Sequence, residues 1–212
     1  MTNTLYRQGT RENLKGDYVL FVHPAKGYNS EGCEPKLQQF LKICLKYNPV
    51  NIGSEADLKK PGVPRTFEEK VESVMNTGAA AAVFDNLDSL KKALKEVKEA
   101  DLGISTIITG LIDEVDQVCR EAGITRHSVE HHLGFHGNTR RLAPQRVLEI
   151  NSMCGHGCVS FKLVSKMIEQ VKLGLITPKK AAQLLAKPCT CGVFNPARAE
   201  ILLEEAREKG EN

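Results

Sequence analysis

The sequence contains no tryptophan, and aromatic residues make up only 5% of it. Proteins that hold single-stranded nucleic acid stack bases on flat side chains, so this scarcity argues against that class. A net charge of +3 is likewise too small to attract a phosphate backbone. No stretch approaches the roughly 18 continuous apolar residues of a membrane helix. Residues 1–17 are polar, with Arg7, Arg11, Glu12 and Lys15, and lack the apolar centre of a secretory signal. Neither Gly-x-Gly-x-x-Gly after a strand nor Gly-x-x-x-x-Gly-Lys-Ser/Thr occurs, which leaves dinucleotide and P-loop nucleotide binding without support.

What is present is ordinary for a folded protein: 212 residues, 41% hydrophobic and 26% charged, enough to bury a core without disulfide staples. The expected setting is the cytoplasm, where thiols stay reduced. Seven cysteines in that compartment point to metal, catalysis or burial rather than to a disulfide framework.

The run Tyr18-Val19-Leu20-Phe21-Val22 predicts a buried strand that ends at His23-Pro24. Residues 35–47 place Leu37, Phe40, Leu41, Cys44 and Leu45 at helical spacing. Residues 53–66 read as a loop and 67–75 as a helix. Residues 79–84 predict a strand, capped by Asp85 or Asn86 into a helix with Leu87, Leu90, Leu94 and Val97 on one face. Residues 102–108 predict another strand, followed by a helix carrying Leu111, Val115, Val118 and Cys119 that closes at Ala122-Gly123. Strand and helix alternate, so the fold class is α/β or α+β: a helix-covered sheet over residues 18–150, with a doubly wound and a ferredoxin-like split arrangement both open. Val147-Leu148-Glu149-Ile150 reads as a last short strand. Beyond it the expectation is helical, with helices over residues 159–173, from Thr177-Pro178, and from Asn195-Pro196. The division is thus an α/β part, residues 1–145, and a Cys-rich helical part, residues 146–212, packed on it.

The helical part carries Cys154-Gly155-His156-Gly157-Cys158 and Cys189-Thr190-Cys191-Gly192. An outgoing helix of about 15 residues climbs roughly 22 Å and a returning one of about 11 descends roughly 16 Å, so an antiparallel return brings the second motif back to the first. Helix N-termini after both motifs, and backbone N–H groups freed by the glycines, favour thiolates. The expectation is a metal centre held by Cys154, Cys158, Cys189 and Cys191, or by three of them with His156. An iron–sulfur cluster is preferred to zinc because the loops are glycine-rich and Cys-x-Cys is unusual for structural zinc. Packing at a helix junction, or a redox dithiol, are the rival readings; for Cys33, Cys44 and Cys119 burial in the core is expected.

Histidines cluster just before this region. His127, His131, His132 and His136 fall in residues 126–136, where a strand would split them between faces and Gly134 and Gly137 argue against a helix. They are expected to supply an acid, base or ligand to the cysteine site, oriented by Glu130 or Glu149. Arg140, Arg141 and Arg198 are the candidates to orient an anion. Together these residues predict a metal- or iron–sulfur-binding enzyme acting on a small anionic substrate, by redox, lyase or hydrolase chemistry, with an electron-transfer partner if redox applies. A non-catalytic metal carrier, sensor or assembly factor is the alternative, and a thiol-redox protein the third. Neither nucleic acid nor membrane is an expected partner.

Overall fold

The structure, a computed structural model, describes residues 6–54, 66–75 and 78–209. Four strands, β1 (Tyr18–His23), β2 (Asn51–Ser54), β3 (Ala80–Phe84) and β4 (Ser105–Thr109), form one sheet in the order β2-β3-β1-β4. Every pairing is antiparallel, with Leu20 opposite Ala82 on one side and Ile108 on the other. This order and pairing make the α+β split arrangement rather than a doubly wound parallel sheet.

On the first face lie α2 (Glu34–Leu45), α3 (Phe67–Glu72), α4 (Leu87–Glu99) and α5 (Ile112–Glu121). They bury Leu37, Phe40, Leu41, Leu90, Leu94 and Val118 against Tyr18, Leu20, Val22, Ile52, Ala82 and Phe84. Cys33, Cys44 and Cys119 lie in this core, as expected. Asn86 caps α4 by accepting from the Ser89 N–H at 2.8 Å. On the second face lie α6 (Gln145–Asn151), α7 (Phe161–Lys172), α8 (Pro178–Ala186) and α9 (Pro196–Lys209). They bury Ile150, Val164, Met167, Leu185, Leu202 and Leu203 against Val19, Phe21, Ala81 and Val83. An antiparallel sheet usually leaves one face wet and alternates polar with apolar; here both faces are covered, which is why β1 reads as an unbroken apolar run.

Three expectations fail. Val147-Leu148-Glu149-Ile150 is α6, not a strand: all four residues are buried, and a short apolar run has no periodicity to separate the two forms. Gly53, expected in a loop, lies in β2; residues 55–65 of that expected loop are outside the described residues. The strand after α4 begins at Ser105 rather than at residue 102.

A short N-terminal arm, containing α1 (Arg11–Leu14), crosses to the second layer. Arg7 donates to Asp17 at 3.1 Å and to the Val193 carbonyl at 2.5 Å, and the Gln8 N–H donates to Ser152 Oγ at 2.9 Å. Among the described residues no helix is long and apolar enough to cross a membrane.

Candidate metal centre

The two cysteine motifs meet because each lies in a turn that its flanking helices hold. α6 ends at Asn151, whose side chain donates to the Val159 carbonyl and so spans the base of the first turn. Met153 and Val159, both 0% exposed, anchor its two ends in the second core. Ser160 then caps α7 by accepting from Leu163 N–H at 3.2 Å. α7 and α8 form the returning hairpin, with Thr177 capping α8 and Pro178 in its first turn as the sequence predicts. The second turn follows, closed by the Cys189 N–H to the Ala186 carbonyl at 3.1 Å and the Gly192 N–H to the Cys189 carbonyl at 3.0 Å.

That second turn rests directly on the sheet. Gly192 has φ +71°, and a Cβ built on it would overlap the Ile52 carbonyl and the Gly53 nitrogen. Reciprocally, a Cβ on Gly53 would stand 2.5 Å from the Cys191 carbonyl carbon. Two glycines therefore let the Cys-x-Cys backbone lie against the backbone of β2, a contact that any side chain at either position prevents. Asn51 adds a hydrogen bond from its Nδ2 to the Phe194 carbonyl at 2.9 Å.

Cys154, Cys189 and Cys191 are 2%, 3% and 2% exposed, whereas Cys158 and His156 are exposed. The Cys189 and Cys191 sulfurs are 3.7 Å apart, and His156 Nδ1 is 3.5 Å from Cys191 Sγ. The Cys189 thiol donates to Cys154, which also accepts backbone N–H groups of Val159, His156 and Cys158; against the cost of burial these donors lower the Cys154 thiol to about 5. Cys191 is lowered to about 7, first by the Cys189 thiol, with the Val193 N–H and the charge of His156 adding to it. Cys189, the donor to both, is raised well above an ordinary thiol. Cys158 is raised by partial desolvation and by the negative charge of Cys154 and Cys191. The arrangement stabilises thiolate at two sulfurs and stores protons on the others, the form from which metal binding releases protons. All seven cysteines are free thiols. Among the described residues no group of three or more His, Cys, Asp or Glu side chains forms a ready coordination shell, so the thiols are neighbours that hydrogen-bond one another and must rotate to enclose an ion.

Of the sequence-predicted histidines, only His156 joins the cysteines. Residues 125–138 form neither strand nor helix and are exposed. The His132 ring packs on Tyr6 at 5.0 Å and edge-on to Phe135 at 5.5 Å, and its Nδ1 accepts the Gly134 N–H at 3.2 Å. His127 pairs with Ser128 at 3.0 Å. His127, His131, His132 and Glu130 instead line a cleft of about 700 Å³ beside β4, with Arg7, Arg11 and Arg126; His136 is not among its lining residues. Glu149, the other proposed orienting group, is bound by Asn13, Gln145 and Arg146. A second cleft lies between Glu12, Asn13, Arg146 and Glu205, and neither cleft reaches the four thiols.

Arg140 and Arg141 are exposed in a 3₁₀ turn, Thr139–Arg141, and line neither cleft. Arg198 lines the second cleft, but its guanidinium is already engaged. It is 3% exposed, and its guanidinium donates to Asp17 at 2.8 Å, to the Asn13 carbonyl at 2.8 Å and side chain at 3.0 Å, and to the Gln8 carbonyl at 2.6 Å. Desolvation lowers its pKa, opposed by Asp17. It locks α9 to the N-terminal arm, together with Arg7 and with Asn195, which donates to Asp17 at 2.9 Å. Sequence reasoning missed this network because Arg7 and Asp17 are far from Arg198 along the chain and each alone reads as a surface charge.

Comparison of the chain with family models, with curated proteins and with solved structures yields no match.

Proposed function

We propose that this chain is a metal-binding protein in which Cys154, Cys158, Cys189 and Cys191 hold a single thiophilic ion of the zinc class, and that it works as a carrier or sensor in a compartment where thiols stay reduced, the cytoplasm. The observation that carries the reading is the meeting of the two motifs, with Cys189 and Cys191 sulfurs 3.7 Å apart and both motifs' turns donating backbone N–H groups to sulfur. Zinc–sulfur bonds of about 2.3 Å at tetrahedral angles set sulfurs about 3.8 Å apart, so this separation, that of a thiol hydrogen bond, also suits one edge of that figure. A cubane cluster spreads its cysteine sulfurs wider than one ion does, so this separation disfavours a cubane. Four thiolates around a divalent ion leave a net charge of −2. The N–H groups of His156, Cys158, Val159 and Val193 offset it, with the N-termini of α7 and α9 close behind.

The carrier or sensor reading is favoured over catalysis because neither cleft adjoins the sulfurs and four protein donors fill the coordination of one ion. Purification without oxygen, followed by measurement of zinc, iron and acid-labile sulfide and by a visible spectrum, tests it. One zinc per chain that is lost in a Cys191→Ser variant of unchanged circular dichroism supports it. Iron with sulfide replaces the ion by a cluster. Colourless, metal-free protein with an interconverting dithiol and disulfide overturns it in favour of thiol-redox function.

A different observation favours a second reading, an enzyme acting on a small anionic molecule: His127, His131, His132 and Glu130 share the cleft beside β4 with Arg7, Arg11 and Arg126. A thermal-shift screen against small carboxylates and phosphates tests it; stabilisation abolished by His131→Ala supports this use of the cleft, and the absence of any stabilising anion removes it.

A further inference from the structure

The two turns carry five potential donors, where a tetrahedral ion takes four. They fall into two classes. Cys154, Cys189 and Cys191 are buried in the second core, and the turn of the last two is backed against β2 through Gly192 and Gly53. Those three sulfurs have little room to leave. Cys158 and His156 are exposed and flank Gly157. Gly157 has φ +71°, as Gly192 does, yet a Cβ built on it meets nothing within 4 Å. One half of the site is clamped between layers and the other is carried on a turn facing open space. Both exposed donors sit beside the buried three: His156 Nδ1 lies 3.5 Å from Cys191 Sγ, and the Gly157 N–H donates to the Cys154 carbonyl at 3.1 Å, closing the turn that carries Cys158.

We propose that Cys158 and His156 are alternative fourth ligands, so that the centre exchanges one position on its solvent side while Cys154, Cys189 and Cys191 stay fixed. The inference rests on the metal reading above. The partner implied is a soft donor bearing a thiolate, either a protein that delivers the ion or a small thiol. As Cys158 gives up its bond to the ion, the neutral imidazole of His156 forms one in its place. The sulfur departs as thiolate and takes a proton from solvent, and no electrons change hands. The exchange lowers the net charge of the four-ligand centre from −2 to −1, and it keeps the ion coordinated throughout transfer. A site with four equivalent buried thiolates has no such route.

Cobalt(II) titration tests this, because the intensity of sulfur-to-cobalt charge transfer follows the number of thiolate ligands. Cys158 and His156 are exposed, so Cys158→Ser, His156→Ala and the double variant leave the core intact, with thermal unfolding as the check. The expected result is one ion per chain in the wild type and in both single variants, with charge transfer in Cys158→Ser reduced by one ligand's share. The double variant is expected to bind far more weakly, beyond the roughly 10- to 100-fold lost when a ligand's outer partner is removed. Loss of the ion in Cys158→Ser alone overturns the proposal, and so does a double variant that binds as tightly as Cys158→Ser. A wild-type chain that takes up no ion overturns the metal reading itself, an outcome distinct from both.

Discussion

Replacing Gly192 by alanine isolates the contact that seats the Cys-x-Cys turn on the sheet. Two costs arise. An L-residue held at φ +71° sacrifices about 1–2 kcal/mol of backbone energy. The new methyl also overlaps the backbone of Ile52 and Gly53, which cannot turn aside as a flexible side chain can, and forced overpacking of this kind costs about 1–3 kcal/mol more. Gly157→Ala is the control, because it has the same φ and open space around it and should lose the first amount alone. For a chain of this length each kcal/mol moves Tm by about 2–4 °C, so Gly192→Ala should melt roughly 5–20 °C lower and Gly157→Ala only a few degrees lower. Urea unfolding at equilibrium measures both. Equal losses in the two variants refute the reasoning, because they leave only backbone strain and no contact between the turn and β2.

Other consequences are as direct. Asp17, 1% exposed, accepts from Arg7, Arg198 and Asn195, so Asp17→Ala leaves two buried guanidinium groups without their carboxylate and should cost about 3–5 kcal/mol in urea unfolding; a loss below about 1 kcal/mol denies that the network holds α9 to the arm. In metal-free protein, Cys154 at about 5 and Cys191 at about 7 lie below a free thiol, so the unfolded chain binds more protons across that interval. Their contribution is therefore complete above about pH 8.5 and is lost as pH falls through about 7 and then about 5. Ultraviolet thiolate absorbance should rise in steps over that range, and a single step near 8.5 contradicts the hydrogen bonding described here. Zinc at 100 times its Kd should add about 2.7 kcal/mol of stability, or roughly 5–10 °C in Tm, reversed by a chelator; an unchanged Tm is evidence against a site in the folded chain.

How much of this the sequence discloses depends on whether the signal is local. Asn86, Thr177 and Asn195 announce helix starts because capping uses one side chain and a backbone group three residues on. β2 escapes notice because its two inward contacts toward the second layer come from Asn51 and Gly53, a polar residue and one without a side chain, where β-branched or aromatic residues mark a strand. α6 is mistaken for a strand because burial of Glu149 with Asn13, Gln145 and Arg146 fills the position where a polar face should show. The cysteine motifs were legible through helix geometry, which returns α8 beside α7 whatever the details of packing. The histidine segment was not, because an exposed stretch without regular structure carries no periodicity from which its direction can be read.

The position of the thiols between layers follows from the same geometry and gives the metal proposal its physical sense. The first core, under α2 and α4, closes with aliphatic and aromatic side chains and three buried cysteines. The second core reaches its rim at the two cysteine turns, where Met153, Val159, Val193 and Phe194 are fully buried and the next side chains outward are sulfurs. An ion bonded across those turns would tie α6 and α7 to the segment between α8 and α9, beside its contacts with β2. Occupancy would then be coupled to how firmly the helical layer seats on the sheet. Cys158 and His156 are exposed, so on the metal proposal exchange would take place on the solvent side.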